Sequence, residues 1–147
     1  MIYTPMTKQA MILAYEAHHG QLDKAGVPYI LHPVHLAEQM DDEITCTVAL
    51  LHDTVEDTAV TLEDLARAFP PEVVEAVALL THDPAVDYFD YIRAIRRNPI
   101  AAKVKLADLT HNTDQTRCVG SAITPERMEG WKKKYEKATM LLTDTED

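Results

Sequence analysis

Apolar residues along this chain recur at three- and four-residue steps, the spacing of one helical face, and the pattern continues almost to the end. Over residues 7–19 they fall at Ala10, Met11, Ala14, Tyr15 and Ala17, with Gly20 as the stop, which predicts a first helix. Residues 20–31 contain Gly26 and Pro28 and read as a loop. Pro33 then stands at a first helical position, and Val34, Leu36, Ala37 and Met40 make a short second helix. Asp41 or Asp42 caps a third, whose apolar run Val48-Ala49-Leu50-Leu51 ends abruptly in His52-Asp53-Thr54-Val55-Glu56-Asp57-Thr58. Thr61 to Asp64 has the form of a capping box opening a helix to about Ala68, and Pro70-Pro71 resets the chain for another over residues 72–80. Asp83-Pro84 breaks it. Further helices are predicted over residues 87–97, from Pro99 to about Thr116, and over 125–142, with Gly120-Ser121 in the intervening loop. Period-2 alternation and Asn-Gly or Asp-Gly pairs are missing, so the expected fold is all-α, with about eight helices.

Composition narrows the class. At 147 residues and 46% hydrophobic, the chain can bury one core, so a single domain over residues 1–147 is expected, with the acidic tail 143–147 frayed. Asp plus Glu outnumber Lys plus Arg by 24 to 14, a formal charge of -10 that argues against nucleic-acid backbones and anionic membranes as partners. Apolar runs stop well short of the ~20 residues of a membrane span, and the opening MIYTPMTKQA is not a signal peptide, so a cytoplasmic location is expected. Cys46 and Cys118 stand in no ligand or disulfide spacing and read as core-side thiols.

Two polar faces on otherwise apolar helices carry candidate chemistry. His52 and Glu56 are separated by one helical turn, as are Asp53 and Asp57, so an imidazole and three carboxylates can converge near one helix end. Asp108, His111 and Asn112 stand at i, i+3 and i+4 between Val104, Leu106, Ala107 and Leu109. Any one of these residues reads as a solvated helix face. Together they do not, because burying several such groups uncompensated costs roughly several kcal/mol each, and a divalent cation removes most of that cost. His32, before Pro33, reads by spacing alone as a cap or loop residue more than as a ligand. His18, His19 and His35 read as surface or core-edge residues, and His82-Asp83, at a helix end before Pro84, reads as a pair outside the site.

The motifs resemble a known family. Gly20-Gln21, Gly26-Val27-Pro28-Tyr29-Ile30-Leu31-His32-Pro33, Leu51-His52-Asp53-Thr54-Val55-Glu56-Asp57-Thr58 and Val104-Lys105-Leu106-Ala107-Asp108, followed by His111-Asn112, are similar in order and spacing to the hydrolase domain of the Rel/SpoT homologues, within the HD superfamily of phosphohydrolases. The resemblance covers residues 7–117 and leaves no room for a synthetase domain. It implies a helical HD fold, one divalent ion, usually manganese, held by His32, His52, Asp53 and Asp108, and Glu56 and Asp57 acting on the attacking water. It further implies a nucleotide polyphosphate, (p)ppGpp, as substrate, contacted by Lys24, Tyr29, Lys105 and Asn112.

Against a charge of -10, a polyphosphate needs local cations; Lys103, Arg93, Arg96 and Arg97 are added to Lys24 and Lys105 as candidates. The chain departs from the family on the base side. Asp23-Lys24 replaces Arg-Lys, so an anion is expected where a cation meets guanine; Leu109-Thr110 replaces Arg-Leu, and Asp114-Gln115 replaces Arg-Thr. Two other readings stay open: the same chemistry on another nucleotide or small phosphate ester, and a non-catalytic nucleotide-binding sensor. Oligomeric state is not legible.

Overall fold

Side-chain caps start the helices largely where the polar punctuation predicts. The computed structural model describes residues 1–144, in which α1 is Pro5–Ala17, α2 Leu31–Glu38, α3 Glu43–Leu51, α4 Thr54–Asp57, α5 Leu62–Ala68, α6 Pro71–Leu80, α7 Tyr88–Arg96, α8 Pro99–Asn112 and α9 Pro125–Thr143. A 3₁₀ turn, Gln115–Cys118, separates the last two. No strand occurs among the described residues, only an isolated bridge between Leu22 and Pro28, so the all-α expectation holds. Asp42, Asp87, Asn98 and Thr124 each accept a first-turn amide of the helix they precede, and Thr61 forms a reciprocal capping box with Asp64.

Several boundaries differ from the expectation, each for a local reason. α1 starts at Pro5 because Thr4 and Thr7 build their own capping box, and it ends before Gly20, whose φ of +84° suits glycine. α2 starts at Leu31, with Pro33 still inside the first turn, where its missing N–H costs nothing. The polar run after Leu51 is not a continuation of α3: the chain turns at His52-Asp53 and makes the separate single turn α4. α8 stops at Asn112 because the Asp114 carboxylate accepts the Thr116 amide and starts the 3₁₀ turn. α9 reaches Thr143, whose hydroxyl donates to the Thr139 carbonyl; the remainder of the tail expected to fray, residues 145–147, lies outside the described residues.

The core is organised around α3, which packs against α1, α2, α6 and α8. Residues 45 to 51 of α3 are all buried, so the helix is apolar on nearly every face and its polar end must emerge into whatever its neighbours enclose. Leu36, Leu50, Leu51, Leu65, Val73, Val77, Ile92, Ile95, Val104 and Leu109 fill the space between the helices. This packing holds the C-terminus of α3, the first turn of α2 and the middle of α8 together. Among the described residues, no helix is long and apolar enough to cross a membrane.

Candidate metal centre and its cavity

Three segments meet at the end of α3. His32 Nε2 lies 2.9 Å from Asp108 Oδ1 and 4.0 Å from Asp53 Oδ2, while His52 Nε2 lies 2.9 Å from Asp53 Oδ2 and 3.9 Å from Asp108 Oδ1. His32, His52 and Asp108 are buried, and Asp53 is nearly so. Four expected ligands are thus drawn together, two on the α3 end and one each from α2 and α8. Ligand atoms of Asp53, Glu56 and Asp57 also fall within 4.8 Å of one another, which extends the acidic face along α4.

The histidine hydrogen bonds test whether a cation belongs here. His52 Nδ1 is 2.6 Å from the Ala49 carbonyl, which can only accept, so Nδ1 carries the proton and Nε2 faces Asp53. His52 Nε2 makes no hydrogen bond of good geometry although it is fully enclosed. A lone pair facing a carboxylate is repulsive, so this space calls for a positive charge. A proton is one way to supply it: burial pulls the imidazole down, but the Asp53 carboxylate outweighs this and lifts His52 to about 9. A divalent ion is the other, and two imidazole nitrogens with two carboxylate oxygens form a donor set that suits one. The cluster can therefore hold a divalent metal ion.

The surroundings orient these groups. The Tyr29 hydroxyl donates to Asp53 Oδ2, Lys105 Nζ donates to Asp108 Oδ2 at 2.8 Å, and Asn112 Nδ2 donates to Asp108 Oδ1 at 3.0 Å. His32 Nδ1 lies 2.7 Å from His111 Nδ1, and the planes of the two rings are only 8° apart. Burial raises the carboxyl of Asp108, yet Lys105 and His32 beside it hold it well below the usual carboxylate range. Glu56 and Asp57 go the other way: partial burial and the neighbouring carboxylates, Asp53 above all, push both up, although the His82 amide donating to Glu56 Oε1 at 2.6 Å opposes this for Glu56.

The scan of this chain against family models finds the HD domain over residues 10–119. The chain belongs to the HD domain family. Among curated relatives, a GTP pyrophosphokinase of Myxococcus xanthus is 35% identical over 71% of the chain and 16% of its own length. The bifunctional (p)ppGpp synthase/hydrolase SpoT of Escherichia coli K12 is 38% identical over 71% of the chain and 17% of its own length. The chain thus spans about a sixth of these relatives. In solved structures, a metazoan ortholog of SpoT that hydrolyses ppGpp matches with a TM-score of 0.75 at 24% identity, covering 97% of this chain and 94% of that one, a likeness of fold.

The HD cluster forms the floor of a cavity of about 520 Å³, within the range of small-molecule sites. Lys24, Tyr29, Glu56, Asp57, Lys105 and Asn112 all line it. Of the added cations, Lys103 pairs with Asp41 and Arg93 with Asp90, and neither lines the cavity, nor do Arg96 and Arg97. Its other cationic walls are Arg117 and Lys134, beside Trp131, Tyr135, Tyr88 and Tyr91. His82, read as outside the site, is on the cavity wall, but its ring contacts the Val86 carbonyl and its amide holds Glu56, so it joins no ligand group. His18, read as surface or core-edge, is buried against Tyr29, and His35 stacks on His111. Cys46 is in the core as expected, whereas Cys118 sits half-buried at the cavity wall.

Asp23 does not present a free anion to a base. Its Oδ1 accepts the Ala25 and Val27 amides at 2.9 and 3.0 Å, its Oδ2 receives Arg117 at 3.2 Å, and Gly26 completes the turn with a φ of +86°. Arg117 in turn donates to the His111 carbonyl at 3.0 Å, tying this loop to the end of α8. Burial raises the Asp23 carboxyl, but the two amides and Arg117 together hold it below its ordinary value. Such a group stabilises fully above the unfolded value, ~3.9, and loses its contribution as pH falls through the lower folded one. Asp23→Asn should therefore melt several degrees below the wild type at pH 7, about 1–2 kcal/mol, with the gap closing only below about pH 4. Equal melting temperatures at pH 7 would show that the carboxylate does not hold the loop.

Proposed function

We propose that this HD domain is a cytoplasmic enzyme that hydrolyses the 3′-pyrophosphate of (p)ppGpp, giving GDP or GTP and pyrophosphate, with manganese as the divalent ion. The observation that carries the reading is the convergence of His32, His52, Asp53 and Asp108 on one buried point at the floor of a nucleotide-sized cavity, with Glu56 and Asp57 beside it. The names of the SpoT relatives support the substrate. His32, His52, Asp53 and Asp108 would hold a divalent ion, which would supply Lewis-acid polarisation of a phosphoryl oxygen.

The chain's own groups do the rest. Glu56 and Asp57, with carboxyls raised above their ordinary values, flank the water that attacks the phosphorus attached to the ribose 3′ oxygen, and one of them accepts its proton. The bond from that phosphorus to the 3′ oxygen breaks, and the carboxyl that took the water's proton passes it to the departing oxygen. Tyr29 fixes Asp53, while Lys105 and Asn112 fix Asp108, so three of the four expected substrate contacts orient metal-binding carboxylates. Lys24 remains for the nucleotide. His111 Nδ1 accepts a hydrogen bond from the Nδ1–H of His32, which orients the ring and leaves the Nε2 lone pair for a metal. His111→Ala should weaken manganese binding by roughly 10- to 100-fold in a chelator competition, and His111→Asn, which keeps an acceptor, should recover part of it. Wild-type affinity in the alanine variant would remove His111 from this role.

A panel of nucleotides, assayed with and without manganese for pyrophosphate and orthophosphate, tests the function. Release of pyrophosphate from ppGpp only with metal is expected. Release of orthophosphate from a different nucleotide, with ppGpp untouched, would favour the second reading, for which the altered residue Asp114 on the cavity wall is the motive.

A further inference from the structure

The elbow after α1 reaches the acidic face from behind. His18, the first residue beyond α1, is buried, and its Nδ1 lies 2.9 Å from Gln21 Oε1. The other end of the same amide, Gln21 Nε2, donates to the Asp57 carbonyl at 3.0 Å, across 36 positions of sequence. That donation fixes which amide atom is which, so Oε1 accepts and His18 Nδ1 carries the hydrogen. His18 Nε2 is fully enclosed and has no hydrogen-bond partner among the described residues. A leucine or phenylalanine would fill the space without burying an unpaired nitrogen, so bulk alone does not account for an imidazole here. What the imidazole adds is the Nδ1–H that orients Gln21.

The single turn α4 needs such support. Asp57 N–H donates to the Asp53 carbonyl and Thr58 N–H to the Thr54 carbonyl, while Asp53 gives the turn no side-chain cap. A helix this short is marginal by itself, and the last carbonyls of a helix have no partners within it. Gln21 supplies one to Asp57. The same elbow holds Tyr29, whose amide donates to the Gln21 carbonyl at 2.9 Å and whose ring centroid is 4.9 Å from that of His18. Tyr29 in turn donates to Asp53. Asp53 at the start of α4 and Asp57 at its end are thus both set from one elbow.

We propose that His18 and Gln21 are positioning residues for the hydrolysis: by holding the Asp57 carbonyl they fix α4, and with it the aim of the Glu56 and Asp57 carboxylates at the attacking water. The proposal rests on the part given to those two carboxylates above. Neither His18 nor Gln21 lines the cavity, so each acts through α4 and not on a ligand. A carboxylate displaced by about 1 Å loses its reach to that water, which costs up to roughly 10²-fold in rate.

Full-length, manganese-loaded variants would be followed by steady-state kinetics and by amide hydrogen exchange. Gln21→Met and His18→Leu should each lower kcat on ppGpp by roughly tenfold or more, with KM and metal content near wild type. Exchange of the Asp57 and Thr58 amides should speed up by roughly tenfold or more, while the amides of Val48 to Leu51 in α3 keep wild-type rates. His18→Asn, whose side-chain amide can donate from near the place of Nδ1, should recover most of the loss. Combining Gln21→Met with His18→Leu should cost no more than the worse of the two, because the pair acts as one unit. Gln21 is half-buried, so Gln21→Met decides the matter if the His18 variants do not fold. Wild-type kcat or wild-type α4 exchange in Gln21→Met, equal impairment in His18→Asn and His18→Leu, or a double variant at the product of the single losses would overturn the brace. Selective loosening of α4 in a protein that leaves ppGpp untouched would keep the brace and remove the alarmone reading, with kcat then read on the nucleotide that the panel identifies.

Discussion

Replacing His52 or Asp108 with alanine should leave a protein that retains no stoichiometric manganese after desalting and whose turnover falls by roughly 10³-fold or more, the scale of losing several kcal/mol of charge stabilisation. His52 Nε2 and Asp108 Oδ1 come from different segments, 3.9 Å apart, so removing either would open one side of the proposed metal site. Asp108→Ala carries a further penalty, because Lys105 is buried against it and would be left without its anion, a loss of about 3–5 kcal/mol in stability. Asp108→Asn keeps the shape and an acceptor for Lys105 but not the charge, so it should cost less stability than alanine while still failing to retain metal. His82→Ala should hold metal like the wild type, since His82 meets Glu56 through its backbone amide and not its ring. Full metal retention in both His52→Ala and Asp108→Asn, or its loss in His82→Ala, would move the metal site elsewhere.

Glu56→Gln and Asp57→Asn should separate binding from chemistry. Each substitution keeps size and removes the ability to take a proton, so metal content and melting temperature should stay near wild type while kcat falls by roughly 10²-fold or more with KM little changed. The single turn α4 places both carboxylates beside Asp53 but at the cavity surface, where a water can reach them. Elemental analysis decides between roles: variants that lose metal would make Glu56 and Asp57 ligands, and variants with unchanged kcat would remove them from the mechanism.

How much of this was legible depended on range. Helix identity was local, written in caps such as Asp42, Thr61 and Asp87, and the four residues gathered at the cluster were identified by motif order. The break at His52-Asp53 was not visible, because an apolar helix followed by charges reads the same whether the chain continues or turns. The wall made by α9 was missed for a related reason. Trp131, Lys134 and Tyr135 have the i, i+3, i+4 spacing of one face, but only tertiary packing against α7 and α8 brings that face to residues more than 70 positions earlier, such as Asp53 and Glu56. Asp23 was misread because its partner Arg117 lies 94 positions away, and a lone anion in a loop gives no sign of it. Of the guessed cations, Arg93 is drawn away from the cavity by Asp90, three residues before it, which offers a surface pair.

Phosphorus NMR of ppGpp incubated with the manganese-loaded and then chelated protein follows every phosphate at once. The account requires the 3′-pyrophosphate resonances to be replaced by free pyrophosphate, with the 5′-diphosphate of GDP intact, and this conversion to stop when the metal is withdrawn. Unchanged ppGpp with stoichiometric metal bound, or loss of the 5′ phosphates in place of the 3′ group, would contradict it.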